Sequence, residues 1–367
     1  MIKNFSVVSV DKAVSMLTDL YGNAIKTGTD FKSIPSVMLW GPPGVGKSQG
    51  IREVAQRVGK ETGKKVVVTD VRLILFNPID LRGIPSANAD KTLAVWLKPK
   101  IFQMDESTDV VNILFLDEIS AAPQTVQAAA YQITLDRIIG EHRLPDNCLV
   151  IAAGNRVTDK SVSYKMPKAL ANRLMHFEIE GSFASWRTWA VNNGINDKVI
   201  SYLASRNDRL FRFDASTDEL AFPTPRSWEM VSKVLTLMDN DEKAAKNLIS
   251  GLIGSGEAVE FISWCNIYKE YPSIEHIFKG SETFVPKNTD TLYAVVYGMA
   301  AYAREHLTNK AAIGNSLSYA GRMPFDFAKL LILTYKAFEN EEMERYLLTI
   351  PEYVSIMKRM GELTNGY

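Results

Sequence analysis

Residues 41–48 read GPPGVGKS, and this stretch decides the fold of the chain. It follows an apolar run, SVMLW at residues 36–40, and precedes a segment whose apolar side chains recur at helical spacing from Ile51 to Val58. Glycines let the backbone of such a loop curl so that successive N–H groups face inward, and the start of the following helix adds a positive dipole. The stretch therefore predicts a strand, an anion-binding loop and a helix.

The loop has the spacing G-x-x-x-x-G-K-S, in which the lysine neutralises the β- and γ-phosphates of a nucleotide and the serine hydroxyl binds Mg²⁺. We therefore expect ATP and Mg²⁺ as cofactors, with Ser48 as a metal ligand, although these residues favour ATP and GTP equally. The predicted nucleotide-binding residues are Gly41, Pro42, Pro43, Gly44, Val45, Gly46, Lys47, Ser48 and Gln49.

The first half of the chain alternates strand-like and helix-like segments, which is typical of a parallel sheet with helices on both faces. The strand-like runs are continuously apolar, which favours strands covered on both faces. They lie at residues 36–40, 66–69, 112–116, 149–153 and 174–179. About 40 residues separate the second run from the third, more than a crossover needs. In that interval, residues 78–85 and the pair Val95 and Trp96 predict a turn and a hairpin. A second hairpin is predicted at 138–144, turning at Gly140.

Beyond Gly181 the strand-like runs disappear, and helical periodicity dominates. It is clearest at residues 186–191, 199–204, 226–238, 289–305 and 325–338. The length of the chain suits two or three domains. We predict an α/β nucleotide-binding domain at 1–182, an all-α lid at 183–275 and a C-terminal helical extension at 276–367.

Polar residues end two of the predicted strands, at the carboxyl edge where open α/β sheets bind ligands. Asp117 and Glu118 end the third strand, and Asn155 ends the fourth. We expect Asp117 to hold Mg²⁺ through its water shell, and Glu118 to orient or deprotonate the attacking water. Asn155 would polarise that water or contact the γ-phosphate. The structural alternatives are an acidic pair at a helix start and a turn-forming asparagine.

Two arginines are placed where they could stabilise a transferring phosphoryl group. Arg173 precedes the fifth strand, and Arg226 ends the sequence FPTPR at the start of a helix. A guanidinium that meets the charge on the equatorial oxygens contributes about 10³ to 10⁵ in rate. Arg137, Arg143 and Arg156 are rivals for this role, and a surface salt bridge is the alternative for each predicted arginine.

The composition excludes several classes of protein. Lys plus Arg and Asp plus Glu number 42 each, so no overall field attracts nucleic acid or an anionic membrane. Two distant cysteines and four histidines provide neither a disulfide framework nor a zinc cluster, and we expect all six, including His176 of the fifth strand, to be packed or solvated side chains. Apolar runs stay below about 18 residues, and the N-terminus lacks a signal pattern. A cytoplasmic protein without a membrane segment is expected.

The order of these features resembles the AAA+ ATPases, and within them the MoxR family and its dynein-related neighbours, over residues 10–240. GPPGVGKS is similar to the first phosphate motif of that family, and ILFLDEI at 113–119 to the second. IDLRGIP at 79–85 looks like the insertion in the family's second helix, and the segment from Asp136 to Gly140 looks like the hairpin before its fourth strand.

The resemblance implies a P-loop sheet with strand order 5-1-4-3-2, a helical lid and a ring of copies, usually a hexamer. It implies that Asn155 is the first sensor and that Arg173 is an arginine finger acting across subunits. Arg226 would be the second sensor, acting either within its own subunit or across the interface. Two features depart from the family pattern: Asn172 stands where an acidic residue often precedes the finger, and the chain after residue 240 has no counterpart.

The leading interpretation is Mg-dependent ATP hydrolysis in an oligomeric ring, coupled to remodelling or activation of a partner protein. The resemblance implies a MoxR-like chaperone, whose partner would carry a von Willebrand factor A domain. The alternative is a DNA-directed AAA+ motor or a restriction-linked nucleotidase, against which the zero net charge counts. A small-molecule kinase would leave the pairing of Asn155 with Glu118 unexplained, and a non-hydrolysing scaffold would leave Glu118 unexplained.

Overall fold

The computed structural model describes residues 6–156, 166, 168–212, 219–266, 272–338 and 340–361. The chain divides into two units, Met1–Ser182 and Phe183–Tyr367, and each is described by itself. In the described residues, no helix is both long enough and apolar enough to cross a membrane.

Strands of the first unit form one parallel sheet and two small hairpins. In chain order the strands are β1 (Val7–Ser9), β2 (Val37–Trp40), β3 (Lys65–Arg72), β4 (Ile84–Ala87), β5 (Ala94–Leu97), β6 (Val110–Asp117), β7 (Ile138–Ile139), β8 (His142–Arg143), β9 (Cys148–Gly154) and β10 (Met175–Glu180). The sheet has the order β1-β10-β2-β9-β6-β3, and all of its pairs are parallel. For the five strands predicted from the sequence this is the order 5-1-4-3-2, so the predicted fold is confirmed.

Helices cover both faces of this sheet because successive strand residues face opposite sides. The helices of the unit are α1 (Val10–Thr27), α2 (Lys47–Thr62), α3 (Pro78–Arg82), α4 (Gln124–Asp136) and α5 (Lys168–Ala171). Val37 and Leu39 of β2 pack with α1 and α2 in one hydrophobic cluster. Met38, between them in the chain, packs with α4 in another. The continuous apolarity of the central strands follows from this two-sided burial.

Two details of the sheet differ from the prediction. The strand predicted at 66–69 was expected to be buried, but β3 lies at the edge of the sheet and these four residues are only half-buried. The sheet also has a sixth strand, β1, which pairs with β10 and was not predicted. Three residues are too few for a periodic signal to stand out.

The two hairpins, β4–β5 and β7–β8, confirm the predicted interruptions and lie against each other. His142 Nε2 lies 2.7 Å from the carbonyl oxygen of Trp96. Gly140 turns the second hairpin with a φ of 58°, and a Cβ there would lie 2.5 Å from the carbonyl oxygen of Arg82. The close approach of the two backbones therefore requires glycine at this turn.

The described residues of the second unit form helices and the loops that connect them, with no strand. Its helices are α6 (Phe183–Asn192), α7 (Asp197–Ser205), α8 (Pro225–Leu237), α9 (Lys246–Ile253), α10 (Ser255–Cys265), α11 (Ile274–Lys279), α12 (Thr289–Glu305), α13 (Lys310–Ala320), α14 (Phe325–Lys336), α15 (Glu341–Leu347) and α16 (Pro351–Arg359). Two hydrophobic clusters form its core. Helix α12 serves both, with Ala294 and Tyr297 in the cluster built on α6 to α10, and Val295 and Val296 in the cluster built on α11 to α16.

Candidate functional site

The glycine-rich loop between β2 and α2 has the backbone geometry of an anion-binding loop. Gly46 caps the N-terminus of α2 with a φ of 105°, a left-handed conformation that side chains with a Cβ rarely adopt. At the other end of the loop, a Cβ on Gly41 would lie 2.7 Å from the carbonyl oxygen of Ile179 in β10. The loop therefore needs glycine at both ends, for conformation at one and for space at the other.

Lys47 is the first residue of α2, and its ammonium group is held over the loop. Nζ donates hydrogen bonds to the carbonyl oxygens of Gly41 at 2.6 Å and Pro42 at 3.0 Å, and to Oδ1 of Asn155 at 3.2 Å. The residue is 9% exposed. All three of these acceptors are uncharged, so none of them neutralises the ammonium.

Ser48 and Asp117 meet at the same edge of the sheet. Ser48 Oγ donates a hydrogen bond to Asp117 Oδ2 at 2.7 Å, and the backbone N–H of Glu118 donates to Asp117 Oδ1 at 2.8 Å. Asp117 is the last residue of β6 and is 9% exposed. A hydroxyl and a carboxylate oxygen suit Mg²⁺, which usually takes only one or two protein ligands beside water and phosphate oxygens. This pair therefore fits the predicted metal site.

Glu118 lies at a sharp bend directly after β6. Its φ of 58° is in the left-handed region, which costs about 1 to 3 kcal/mol for a residue other than glycine and is commonest at functional sites. The carbonyl oxygen of Glu118 accepts hydrogen bonds from the N–H groups of Ala121 and Ala122, so the bend is closed by its own turn. The side chain is half-buried, beside Asp117 in sequence and at the carboxyl end of the sheet.

Asn155 makes one hydrogen bond through its backbone and one through its side chain. Its N–H donates to Ser120 Oγ at 2.8 Å, and its Oδ1 accepts from Lys47. A Cβ on the preceding Gly154 would lie 2.8 Å from the same Ser120 oxygen, so the two loops are in close contact. Ser120 was not predicted from the sequence, where a serine two residues after Glu118 carries little signal of its own.

Arg173 does not join this cluster. Its strand, β10, starts with Met175 beside Val37, whereas Glu178 lies beside Trp40 at the loop end of β2. Met175 lies three strand residues before Glu178, which at about 3.3 Å per residue is about 10 Å, and Arg173 precedes Met175 in the turn after α5, at the edge of the sheet opposite to the loop. Its side chain is exposed and lines a cavity of about 370 Å³ with Lys32, Asp136 and others.

Arg137, one of the three rivals of Arg173, is engaged inside the protein. Its guanidinium donates to the carbonyl oxygens of Cys148 at 2.5 Å, Phe31 at 2.7 Å and Ile34 at 3.1 Å. Burial lowers the pKa of Arg137, partly opposed by nearby groups, Cys148 foremost. These contacts tie the end of α4 to the amino edge of the sheet, so Arg137 stabilises the fold.

The two other rivals and Arg226 lie in different settings. Arg156 pairs with the buried carboxylate of Glu178, close to the loop edge of the sheet. Arg143 is exposed on the hairpin strand β8. Arg226 is exposed in the first turn of α8, which Thr224 caps by accepting a hydrogen bond from the N–H of Ser227. Arg226 belongs to the second unit, and its role at the nucleotide stays a prediction.

The comparisons with known proteins support this reading of the first unit. Residues 37–180, which run from β2 to β10, match the model of the ATPase family associated with various cellular activities (AAA). The match supports an AAA+ ATPase with the P-loop fold. At the level of the family it also supports nucleotide binding and nucleotide-hydrolysing activity. No curated protein matches the chain.

Solved structures resemble the chain at low identity. A mutant of RuvB from Thermotoga maritima is 16% identical, with 80% of this chain and 86% of that one covered and a TM-score of 0.35. NtrX from Brucella abortus is 12% identical, with 85% of this chain and 67% of that one covered and a TM-score of 0.34. At these values the likenesses add nothing to the family match.

Proposed function

We propose, on the premise of this AAA-family segment, that the chain is a Mg-dependent ATPase that works as a ring of its own copies and remodels or activates a partner protein. The observation that carries the proposal is the meeting of the phosphate loop with two strand ends. Lys47 contacts Asn155, and Ser48 contacts Asp117, the neighbour of Glu118. An ammonium, an amide, a hydroxyl and the carboxylate of Asp117 thus converge at one edge of the sheet, with Glu118 next in the chain.

The proposed reaction is the attack of a water molecule on the γ-phosphorus. Glu118 accepts a proton from that water, and the bond between the γ-phosphorus and the β–γ bridging oxygen breaks, which leaves ADP and phosphate. Lys47 neutralises the β- and γ-phosphates, and Asn155 orients the water or contacts the γ-phosphate. Ser48 and Asp117 would hold Mg²⁺, which neutralises phosphate charge when it is bound.

The position of Arg173 supports action across subunits. Arg173 is exposed and precedes β10 at the edge of the sheet opposite to its own loop, so we do not expect it to serve the nucleotide of its own subunit. We propose that it enters the site of a neighbouring copy. We therefore propose a ring, with six subunits expected from the MoxR-like resemblance, in which Arg173 acts as the finger and Arg226 as the second sensor.

The protein on which the ATPase acts is proposed from the resemblance to the MoxR family. The insertion at 79–85 and the hairpin at 138–144, which resemble MoxR elements, support a chaperone-like ATPase whose partner carries a von Willebrand factor A domain. A DNA-directed motor is the competing outcome. The ATPase rate per subunit, measured as protein concentration rises and then with DNA or a von Willebrand factor A domain added, separates them. Stimulation by DNA alone would replace the chaperone proposal.

Two variants test the catalytic assignment. Glu118→Gln should bind ATP and fail to hydrolyse it, because the amide cannot accept the proton; normal turnover would refute the assignment. Arg173→Ala should also bind ATP without hydrolysis. Mixing the two should restore part of the activity, since Glu118→Gln subunits still supply a finger to sites that keep the base. A rate that is independent of concentration, with no restoration on mixing, would refute the ring.

A further inference from the structure

A chain of hydrogen bonds joins the strand that leads into the phosphate loop to the turn that carries Arg173. The indole Nε1 of Trp40 donates to Nδ1 of His176 at 2.9 Å, and Nε2 of His176 lies 2.7 Å from the carbonyl oxygen of Ala171. The two rings lie nearly parallel, with centroids 6.2 Å apart and planes inclined by 15°. The sequence predicted His176 to be packed or solvated; in the structure it is partly buried, and both of its ring nitrogens are engaged.

The partners define the proton positions on the ring. An indole nitrogen can only donate, so Nδ1 of His176 must be the unprotonated nitrogen that accepts. A carbonyl oxygen can only accept, so Nε2 must carry the proton that it donates to Ala171. His176 is therefore a neutral bridge with one accepting and one donating side, an arrangement that few other side chains can reproduce.

The two residues that His176 joins, Trp40 and Ala171, lie next to different parts of the proposed machinery. Trp40 is the last residue of β2 and is followed directly by Gly41 of the loop. Ala171 is the last residue of α5 and precedes Arg173 by two positions. The same carbonyl oxygen of Ala171 also accepts the N–H of Leu174 at 3.2 Å, so it closes the turn that contains Arg173. Because the Arg173 side chain is exposed, the geometry of this turn determines where the guanidinium is presented.

We propose that His176 is a positioning residue for Arg173: it fastens the turn of the finger to Trp40, the residue that leads into the subunit's own phosphate loop. The inference rests on the proposed function, in which Arg173 serves the site of the neighbouring subunit. A displacement of the loop on nucleotide binding is then transmitted through His176 to Arg173, which serves the site of the neighbouring subunit. A misplacement of about 1 Å at a catalytic group lowers the rate about 10²-fold, so a single lost anchor suffices for a large effect.

The test uses mixed rings in which each subunit has one task. Donor subunits carry Glu118→Gln and supply only the finger; acceptor subunits carry Arg173→Ala and supply only the loop and the base. His176→Phe, which keeps an aromatic ring but removes both hydrogen bonds, is added to the donor in one mixture and to the acceptor in another. We expect the restored rate to fall about 10- to 100-fold with the altered donor and to stay unchanged with the altered acceptor.

The outcomes distinguish the inference from its premise. Equal losses in both placements would mean that His176 only supports the fold, and no loss in either would mean that it positions nothing; each overturns the inference and leaves the ring intact. Failure of the unaltered donor and acceptor to restore activity would instead overturn the action of Arg173 across subunits, and the inference with it. ATP affinity, measured on each variant alone, should not change.

Two further substitutions guard against a variant that fails to fold. His176→Gln can place its amide nitrogen where Nε2 lies and donate to Ala171, so it should retain most of the restored rate in the donor. Trp40→Phe keeps an aromatic ring but removes the N–H, and in the donor it should reproduce part of the loss. A His176→Gln donor as inactive as the His176→Phe donor, with both folded, would contradict the role of the Ala171 contact.

Discussion

Replacing Lys47 with Ala removes the ammonium that lies over the phosphate loop, and the structure allows the expected loss of affinity to be estimated. Nζ has three protons, which now bond to two loop carbonyls and to Asn155. If two of them turn to phosphate oxygens, each charge-assisted hydrogen bond contributes about 1.5 to 3 kcal/mol. The sum of about 3 to 6 kcal/mol corresponds to a dissociation constant about 10²- to 10⁴-fold higher.

A thermal-shift experiment with Mg-ATP measures this change. At a ligand concentration of about 100 times the dissociation constant, binding stabilises the wild-type protein by about 2.7 kcal/mol. In a unit of this size that raises the melting temperature by roughly 5 to 11 °C. The Lys47→Ala protein should shift by less than about 2 °C at the same concentration, because a 10²-fold weaker affinity leaves only about 0.4 kcal/mol of stabilisation.

A matched control is available on the same helix. Lys60 lies in the last turn of α2 and is exposed, so Lys60→Ala should keep the full shift. Melting without nucleotide must also be recorded, because Lys47→Ala takes a donor away from the carbonyls of Gly41 and Pro42. If folded Lys47→Ala protein binds ATP as tightly as the wild type, the loop is not the phosphate site.

Three other perturbations test neighbouring claims. Ser120→Ala leaves the N–H of Asn155 without its acceptor; unfolding should become easier by about 1 to 3 kcal/mol, and hydrolysis should slow while ATP binding persists in a filter assay. Gly41→Ala forces a Cβ against a carbonyl oxygen of β10 and should cost about 1 to 3 kcal/mol in chemical denaturation, whereas Gly251→Ala, with open space around it, should be neutral or stabilising. Burial raises the pKa of Cys148 to about 12, so iodoacetamide should not modify this thiol in the native protein at neutral pH. An exposed thiol titrates at about 8.5, so unfolding releases a proton above that pH. The free energy of unfolding should therefore fall as the pH rises above about 8.5. Rapid native alkylation, a tolerated Gly41→Ala or unchanged kinetics of Ser120→Ala would each contradict the corresponding claim.

The sequence predicted most strands of the sheet because the signals that mark them are local, whereas their order came from the resemblance to the AAA+ ATPases. The motif at 41–48 indicates the strand before it and the helix after it, and apolar runs mark the central strands. What local patterns lack is a strand's place in the sheet. Val66 and Ile113 occur in similar apolar runs, yet Val66 is half-buried at the edge and Ile113 fully buried in the interior.

The candidate site was predictable residue by residue, but its connections were not. The spacing of the loop identified Lys47 and Ser48, and the strand ends identified Asp117, Glu118 and Asn155. The contacts that assemble them span 108 positions from Lys47 to Asn155 and 69 from Ser48 to Asp117. Only the packing of parallel strands brings such distant residues together. A supporting residue such as Ser120 therefore cannot be recognised from its neighbours in the sequence.

Helix α12 has a consequence for how the helical half of the protein loses its structure. Its successive residues are divided between two cores, with Tyr297 and Ala294 in one and Val295 and Val296 in the other. A protein truncated after residue 275 would therefore expose a gap where Tyr297 and Ala294 had filled the core of the remaining helices. We expect the helices of the two clusters to melt cooperatively, in a single calorimetric transition. The loss of α12 from either cluster would open the interior of that cluster.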